Sequence, residues 1–198
     1  LTVAVTSKTP SHQFTDVNEA TVGTWAANAV DFAYHFGLVN GTGEDTFSPS
    51  SNMTRAQLVT VLYRAVGSPT MTITTNFEDL DVGAYYYSAV VWANFHGIVN
   101  GTSDTTFSPN DFITREQLAA ILYRYAAYQG YDVSQRADLS GFGDASSIRP
   151  YAQEALSWAS AQGLVLGFED GSLRPQGTAS RAQIAAVLMR FLAAVPTA

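Results

Sequence analysis

Apolar positions recur along this chain with a helical beat that starts three times over. Trp25, Ala29, Phe32, Ala33 and Phe36 fall at spacings of three and four, as do Tyr85, Ala89, Trp92 and Ala93, and then Tyr151, Ala155, Trp158 and Ala159. A second stripe follows each first one: Leu58, Val61 and Leu62, then Leu118, Ile121 and Leu122, then Ile184, Val187 and Leu188. The pattern predicts helices in pairs. Gly37, Gly97 and Gly163 stand where a left-handed residue ends the first helix of each pair. The second helix of each pair opens on a hydroxyl residue followed three positions later by glutamine: Thr54 and Gln57, Thr114 and Gln117, Ser180 and Gln183. That spacing is a capping box, in which side chain and backbone satisfy each other's orphan donors.

The beat is an internal repeat, and a repeat has to be read before any single motif. Each unit opens on Phe-x-Asp, as Phe14-Thr15-Asp16, Phe77-Glu78-Asp79 and Phe142-Gly143-Asp144. Around the helix-ending glycine the units read Gly37-Leu38-Val39-Asn40-Gly41, Gly97-Ile98-Val99-Asn100-Gly101 and Gly163-Leu164-Val165-Leu166-Gly167. The loop then closes with Phe47-Ser48-Pro49, Phe107-Ser108-Pro109 and Leu173-Arg174-Pro175. One such pair is too short to bury its apolar faces alone, so the units must pack on one another into a single body. Boundaries fall after a lead-in at 1–13, giving units at 14–69, 70–130 and 131–198.

Composition narrows the function. A net charge of −7 leaves no broad basic face for nucleic-acid phosphates. No apolar run approaches the roughly 18 residues of a membrane span. Cysteine is absent, which excludes disulfides and thiolate chemistry. Leu1 is not an initiator methionine, so the chain reads as a processed or excised piece of a larger protein. Catalytic patterns are missing too. His12, His35 and His96 are not repeat-equivalent, and no nucleophile elbow, His-Glu-x-x-His pair or phosphate loop is present. Asp79-Leu80-Asp81 lacks the glycine and closing glutamate of a calcium loop. The expectation is therefore a chain with no catalytic activity, metal or cofactor.

The Phe-x-Asp opening, the Gly-(Leu/Ile)-Val-x-Gly turn, the Phe-x-Pro loop and the Thr-Arg-x-Gln helix start together resemble the S-layer homology domain family, over roughly residues 14 to 193. The resemblance implies an all-α fold in which three tandem helix–loop–helix repeats pack as a pseudo-threefold, three-pronged unit. It implies a monomeric, non-catalytic module of an extracellular bacterial surface protein. Its partner would be an acidic, often pyruvylated, secondary cell-wall polysaccharide. The alternative is a self-assembling or protein-binding structural module of the surface layer that binds no glycan.

The chemistry would sit on arginine. The chain has nine Arg and only Lys8, and six of the Arg are repeat-equivalent. Arg55, Arg115 and Arg181 follow the capping residue, where the positive end of the helix disfavours a cation by about 0.3–1 kcal/mol. An anionic partner would offset that misfit. Two partners stay open: Asp16, Asp79 and Asp144 as internal braces, or an acidic sugar substituent. The expectation is ligand contact for at least two of the three arginines. Arg64, Arg124 and Arg190 lie nine residues further on, where a cation complements the helix C-terminus, and a structural role suffices for them. Trp25, Trp92 and Trp158 are carried as sugar platforms, although aromatics at helical spacing belong more often to the core. The third unit departs from the other two. It has Leu166 for Asn40 and Asn100, Phe168 for Thr42 and Thr102, and Leu173 for Phe47 and Phe107. These changes put ligand affinity there in doubt.

Overall fold

The computed structural model describes residues 14–194. The lead-in at 1–13, with His12, lies outside the described residues. Among the described residues the regular elements are all helical: α1 (Glu19–Val22), α2 (Thr24–His35), α3 (Arg55–Ala65), α4 (Tyr87–Phe95), α5 (Arg115–Tyr128), α6 (Gln153–Ala161) and α7 (Arg181–Ala194), with short 3-10 turns at Ala145–Ser147 and Pro150–Ala152.

The predicted boundaries have visible causes. The Thr54 hydroxyl accepts from Gln57 N at 3.2 Å, while Gln57 Oε1 accepts from Thr54 N at 2.9 Å. Thr114 with Gln117 and Ser180 with Gln183 repeat this reciprocal cap. At the other signal, Gly37, Gly97 and Gly163 take φ of 66°, 68° and 66°. Leu38, Ile98 and Leu164 then donate back into the helices, to the carbonyls of Ala33, Ala93 and Ala159. The second-helix stripes are buried as expected. In the first helices the alanines and valines are buried, whereas Trp25, Tyr85 and Tyr151 are 52, 64 and 47 % exposed. The stripe is therefore rotated from the one read in the sequence, and these three aromatics lie outside it.

Helices of one repeat do not pack chiefly on each other. α3 packs on α4, α5 on α6, and α7 returns to α2, so every prong joins the second helix of one repeat to the first helix of the next. The ring closes at the centre through three backbone hydrogen bonds. Ile113 N donates to Met53 O at 2.9 Å, Met53 N to Ala179 O at 3.2 Å, and Ala179 N to Ile113 O at 3.0 Å. Around them, the first two amides of each second helix donate to the proline loop of the following repeat. Arg55 N and Ala56 N reach Asp111 O and Pro109 O; Arg115 N and Glu116 N reach Gly177 O and Pro175 O; Arg181 N and Ala182 N reach Ser51 O and Pro49 O. Orphan donors of one helix start are thus satisfied by the neighbouring repeat. The pseudo-threefold arrangement is written into the backbone.

Candidate functional site

The loops that carry the site are held by the opening Phe-x-Asp. Phe14 and Phe77 press against Gly41 and Gly101, where an added Cβ would come within 2.7 Å of either ring. Asp16 takes Phe47 N and Ser48 N at 2.8 and 2.7 Å, one per carboxylate oxygen. Asp79 does the same for Phe107 N and Ser108 N, and Asp144 for Leu173 N and Arg174 N. Each aspartate thereby clamps a residue with left-handed backbone, since Ser48, Ser108 and Arg174 have φ of 57°, 59° and 51°. Strain of about 1–3 kcal/mol is expected for non-glycine residues there, and the clamp over-determines it. The strained position was not legible, because Ser-Pro gives no sign of positive φ. At the tip of the turn, Glu44-Asp45 and Asp104-Thr105 avoid left-handed backbone, and Gly171 of the third copy takes it with φ of 76°.

The helix-start arginines reach across repeats. Arg55 Nε donates to Phe107 O at 2.9 Å and its Nη2 to Asn100 O at 3.1 Å. Arg115 makes the same pair of bonds to Leu173 O and Leu166 O, and Arg181 to Phe47 O and Asn40 O, at 2.6 to 2.8 Å. Their guanidinium carbons lie 4.7, 4.8 and 4.4 Å from the ring centres of Phe107, Phe168 and Phe47. Arg55 and Arg181 are 4 and 6 % exposed. The internal partners anticipated for these cations are thus chiefly carbonyls. Asp79, Asp144 and Asp16 act on Arg55, Arg115 and Arg181 by charge and raise their pKa, against the larger lowering by burial.

Two equivalent grooves open beside these arginines. The first, of about 280 Å³, is lined by the Asn40-Gly41-Thr42 turn, Gln57, Thr60 and Arg64 of α3, Tyr85 and Arg181. The second, of about 390 Å³, is lined by Asn100-Gly101-Thr102, Gln117, Ala120 and Arg124 of α5, Arg149, Tyr151 and Arg55. Each groove therefore takes residues from all three repeats. In the second, Arg124 lowers the pKa of Arg55 by like charge, beyond the larger effect of burial, and Arg124 itself is lowered by burial. Asp111 and Asp79 raise the pKa of Arg55 in opposition, and two guanidiniums lining one groove have the chemistry to take an anion.

The structure sorts the candidate residues. Arg55 and Arg181 line grooves; Asp16, Asp79 and Asp144 stand behind them as loop clamps. Trp92 and Trp158 are corrected to core residues, at 0 and 2 % exposure. They fill the space between prong helices that alanine leaves open, so neither ring is available to a sugar. Trp25 is exposed, at the position equivalent to Tyr85 and Tyr151. Sequence reasoning missed Arg64, Arg124, Tyr85, Tyr151 and Arg149 as lining residues. The equivalence of Trp25, Tyr85 and Tyr151 was the available signal for the tyrosines. Among the described residues no group of three or more His, Asp or Glu side chains gathers as metal ligands, and no helix is long and apolar enough to cross a membrane.

Comparison with known proteins places this geometry. The family model described as the S-layer homology domain matches residues 13–59, 76–119 and 141–185. An "Endoglucanase" of Bacillus sp. (strain KSM-635) is 32% identical over 186 residues, which is 94% of this chain and 19% of that protein. The "Surface-layer 125 kDa protein" of Lysinibacillus sphaericus is 30% identical over 183 residues, covering 91% of the chain and 15% of that protein. A "Cellulosome-anchoring protein" of Acetivibrio thermocellus is 27% identical over 168 residues, covering 80% and 36%. The chain thus spans under a fifth of the first two relatives.

Proposed function

This chain belongs to the S-layer homology domain family, and on that footing we propose that it is a non-catalytic module anchoring a larger surface protein to the bacterial cell wall. Its ligand is an acidic, pyruvylated secondary cell-wall polysaccharide, bound in the inter-repeat grooves. The observation that carries this reading is the pairing of two arginines from different repeats in one groove, Arg55 with Arg124 and Arg181 with Arg64, beside an exposed tyrosine. Arginine recognises carboxylate through paired charge-assisted hydrogen bonds. The tyrosine ring offers a face on which a sugar can stack. All the matched segments are of the one family, and the relatives that carry enzyme names are several times longer than this chain.

The test is calorimetric titration with matched pyruvylated and neutral glycans at low and high ionic strength. Recessed arginines left without their carboxylate partner cost about 1–3 kcal/mol per group, so the neutral glycan should bind at least tenfold more weakly. Added salt should weaken binding only modestly, because the groove shields its contacts better than an open surface does. Equal affinity for both glycans would overturn the carboxylate mechanism. No binding of either would favour the structural, protein-binding module.

A further inference from the structure

The two grooves differ most in one cluster, besides Thr60 in the first standing where the second has Ala120. Position 116 is glutamate in α5, whereas its equivalents are Ala56 and Ala182. Position 149 is arginine, whereas its equivalents are Gly23 and Gly83. The two departures meet. Glu116 is fully buried, an expensive place for a carboxylate unless donors surround it. Four do so. Arg149 N and Gln176 Nε2 donate to Oε2, both at 3.2 Å, the Tyr151 hydroxyl donates to Oε1 at 3.2 Å, and Arg149 Nη1 forms an ion pair with Oε1 at 3.3 Å. Gln176 also donates to Ser147 O at 2.6 Å, which ties the cluster to the turn that carries Arg149. Meanwhile the Arg149 side chain stays 58% exposed, and it lines the groove with Arg55, Arg124 and Tyr151.

Two consequences follow for a ligand. The Tyr151 hydroxyl is spent on Glu116, so the ring is fixed from behind and presents itself already oriented. Tyr85, in the other groove, is the more exposed ring, and the residue at the Glu116 position there is Ala56. Rigid presentation saves the ordering cost that a mobile side chain incurs on binding. Arg149, for its part, brings a third guanidinium without adding unbalanced charge, because Glu116 offsets it in the unbound state. Its remaining donors extend the polar rim of the larger groove.

We propose that Glu116 is a positioning residue that fixes Tyr151 and Arg149, and that it makes the groove beside Arg124 the principal glycan-binding site, tighter than the one beside Arg64. This rests on the glycan-binding reading above. The experiment is calorimetric titration of the full chain with a pyruvylated N-acetylhexosamine monosaccharide. Arg64→Ala silences the smaller groove and Arg124→Ala the larger one. The Arg64→Ala chain should bind about tenfold more tightly than the Arg124→Ala chain. Adding Glu116→Gln to Arg64→Ala should cost about tenfold, because an amide cannot accept at both of its positions and carries no charge to hold Arg149. The same change added to Arg124→Ala should cost nothing, since only the other groove then reports. Arg149→Ala, an exposed-side substitution, should weaken the larger groove severalfold and serves as the second probe if Glu116→Gln does not fold. A loss from Glu116→Gln of equal size in both backgrounds would mark Glu116 as merely structural and overturn the inference. So would equal affinity of the two silenced chains. Absence of binding by the parent chain would overturn both this inference and the glycan-binding reading.

Discussion

The turns of the first two repeats and the turn of the third share one backbone and differ in what they offer a ligand. In the first two, the hydroxyls of Thr42 and Thr102 lie 2.7 Å from those of Ser48 and Ser108, giving a polar wall beside the groove arginines. In the third, Phe168 replaces the threonine and Arg174 the serine. Two guanidiniums lie over the Phe168 ring, Arg115 at 4.8 Å and Arg174 at 4.0 Å from its centre. Arg174 is held in turn by Asp170 at 2.6 Å. Yet Arg115 makes the same two carbonyl bonds as Arg55 and Arg181, and Arg174 keeps the left-handed backbone of the serines. Scaffold and binding chemistry have therefore separated. The carbonyl bonds of the helix-start arginines belong to the scaffold and are kept three times, while the groove wall is free to vary.

That separation can be broken most forcefully at the helix starts. Arg55→Ala and Arg181→Ala each remove two charge-assisted bonds and leave buried carbonyls unpaired, an expected loss of about 3 kcal/mol in chemical denaturation. Each should also abolish binding in its groove. Arg115→Ala should destabilise the chain while leaving glycan affinity at the first two grooves intact. If Arg115→Ala reduced binding as strongly as Arg55→Ala, the third groove would be a site and the comparison would fall.

A smaller effect, easier to interpret, is expected one ring further out. Arg64→Ala and Arg124→Ala should each remove one binding event from the titration with a melting temperature within a few degrees of the parent. Arg190→Ala should leave binding alone, since Arg190 Nη1 lies 3.4 Å from Leu164 O and the groove it would serve is altered. Measured stoichiometry distinguishes these outcomes. A weaker gain is predicted for the double substitution Leu166→Asn with Phe168→Thr, which restores the turn of the first two repeats. It should add a third binding event, of low affinity while Arg174 remains. No gain would mean that more than the turn has been lost.

The smallest expected effect is on pH. Asp144 is desolvated, which raises its pKa, but the Leu173 and Arg174 amides outweigh that and hold it below the usual carboxylate range. Asp170 is also depressed, to about 2, by Ser172 and then Arg174. A depressed folded pKa gives stability that is present above the unfolded value, about 3.9, and lost as pH falls through the folded one. The Asp144 clamp on the third loop should therefore persist as pH falls through the unfolded carboxylate value and be released only below it. Amide exchange at Leu173 and Arg174 between pH 4 and 2 measures this. Early release, near pH 4, would show that the clamp contributes little.

The local code was legible because it is short-range. Capping boxes at Thr54, Thr114 and Ser180, glycine stops at 37, 97 and 163, and the second-helix stripes each depend on residues within about one turn, so the sequence determined them directly. The chemical divergence of the third turn was also written in the residues. What the tertiary structure alone decided is how the copies meet. Three similar repeats offer nearly interchangeable helix faces, and periodicity cannot say which copy a face will bury against. The closed ring answers by joining α3 to α4, α5 to α6 and α7 to α2. The same closure explains the arginines that sequence reasoning left out. Nine residues of helix turn a side chain by about 180°, so Arg55 and Arg64 face opposite ways and serve different grooves. Arg55 meets Arg124, and Arg64 meets Arg181, only because neighbouring repeats are packed against each other. The burial of Trp92 and Trp158 has the same origin, since each indole fills a space that exists only between helices of adjacent repeats.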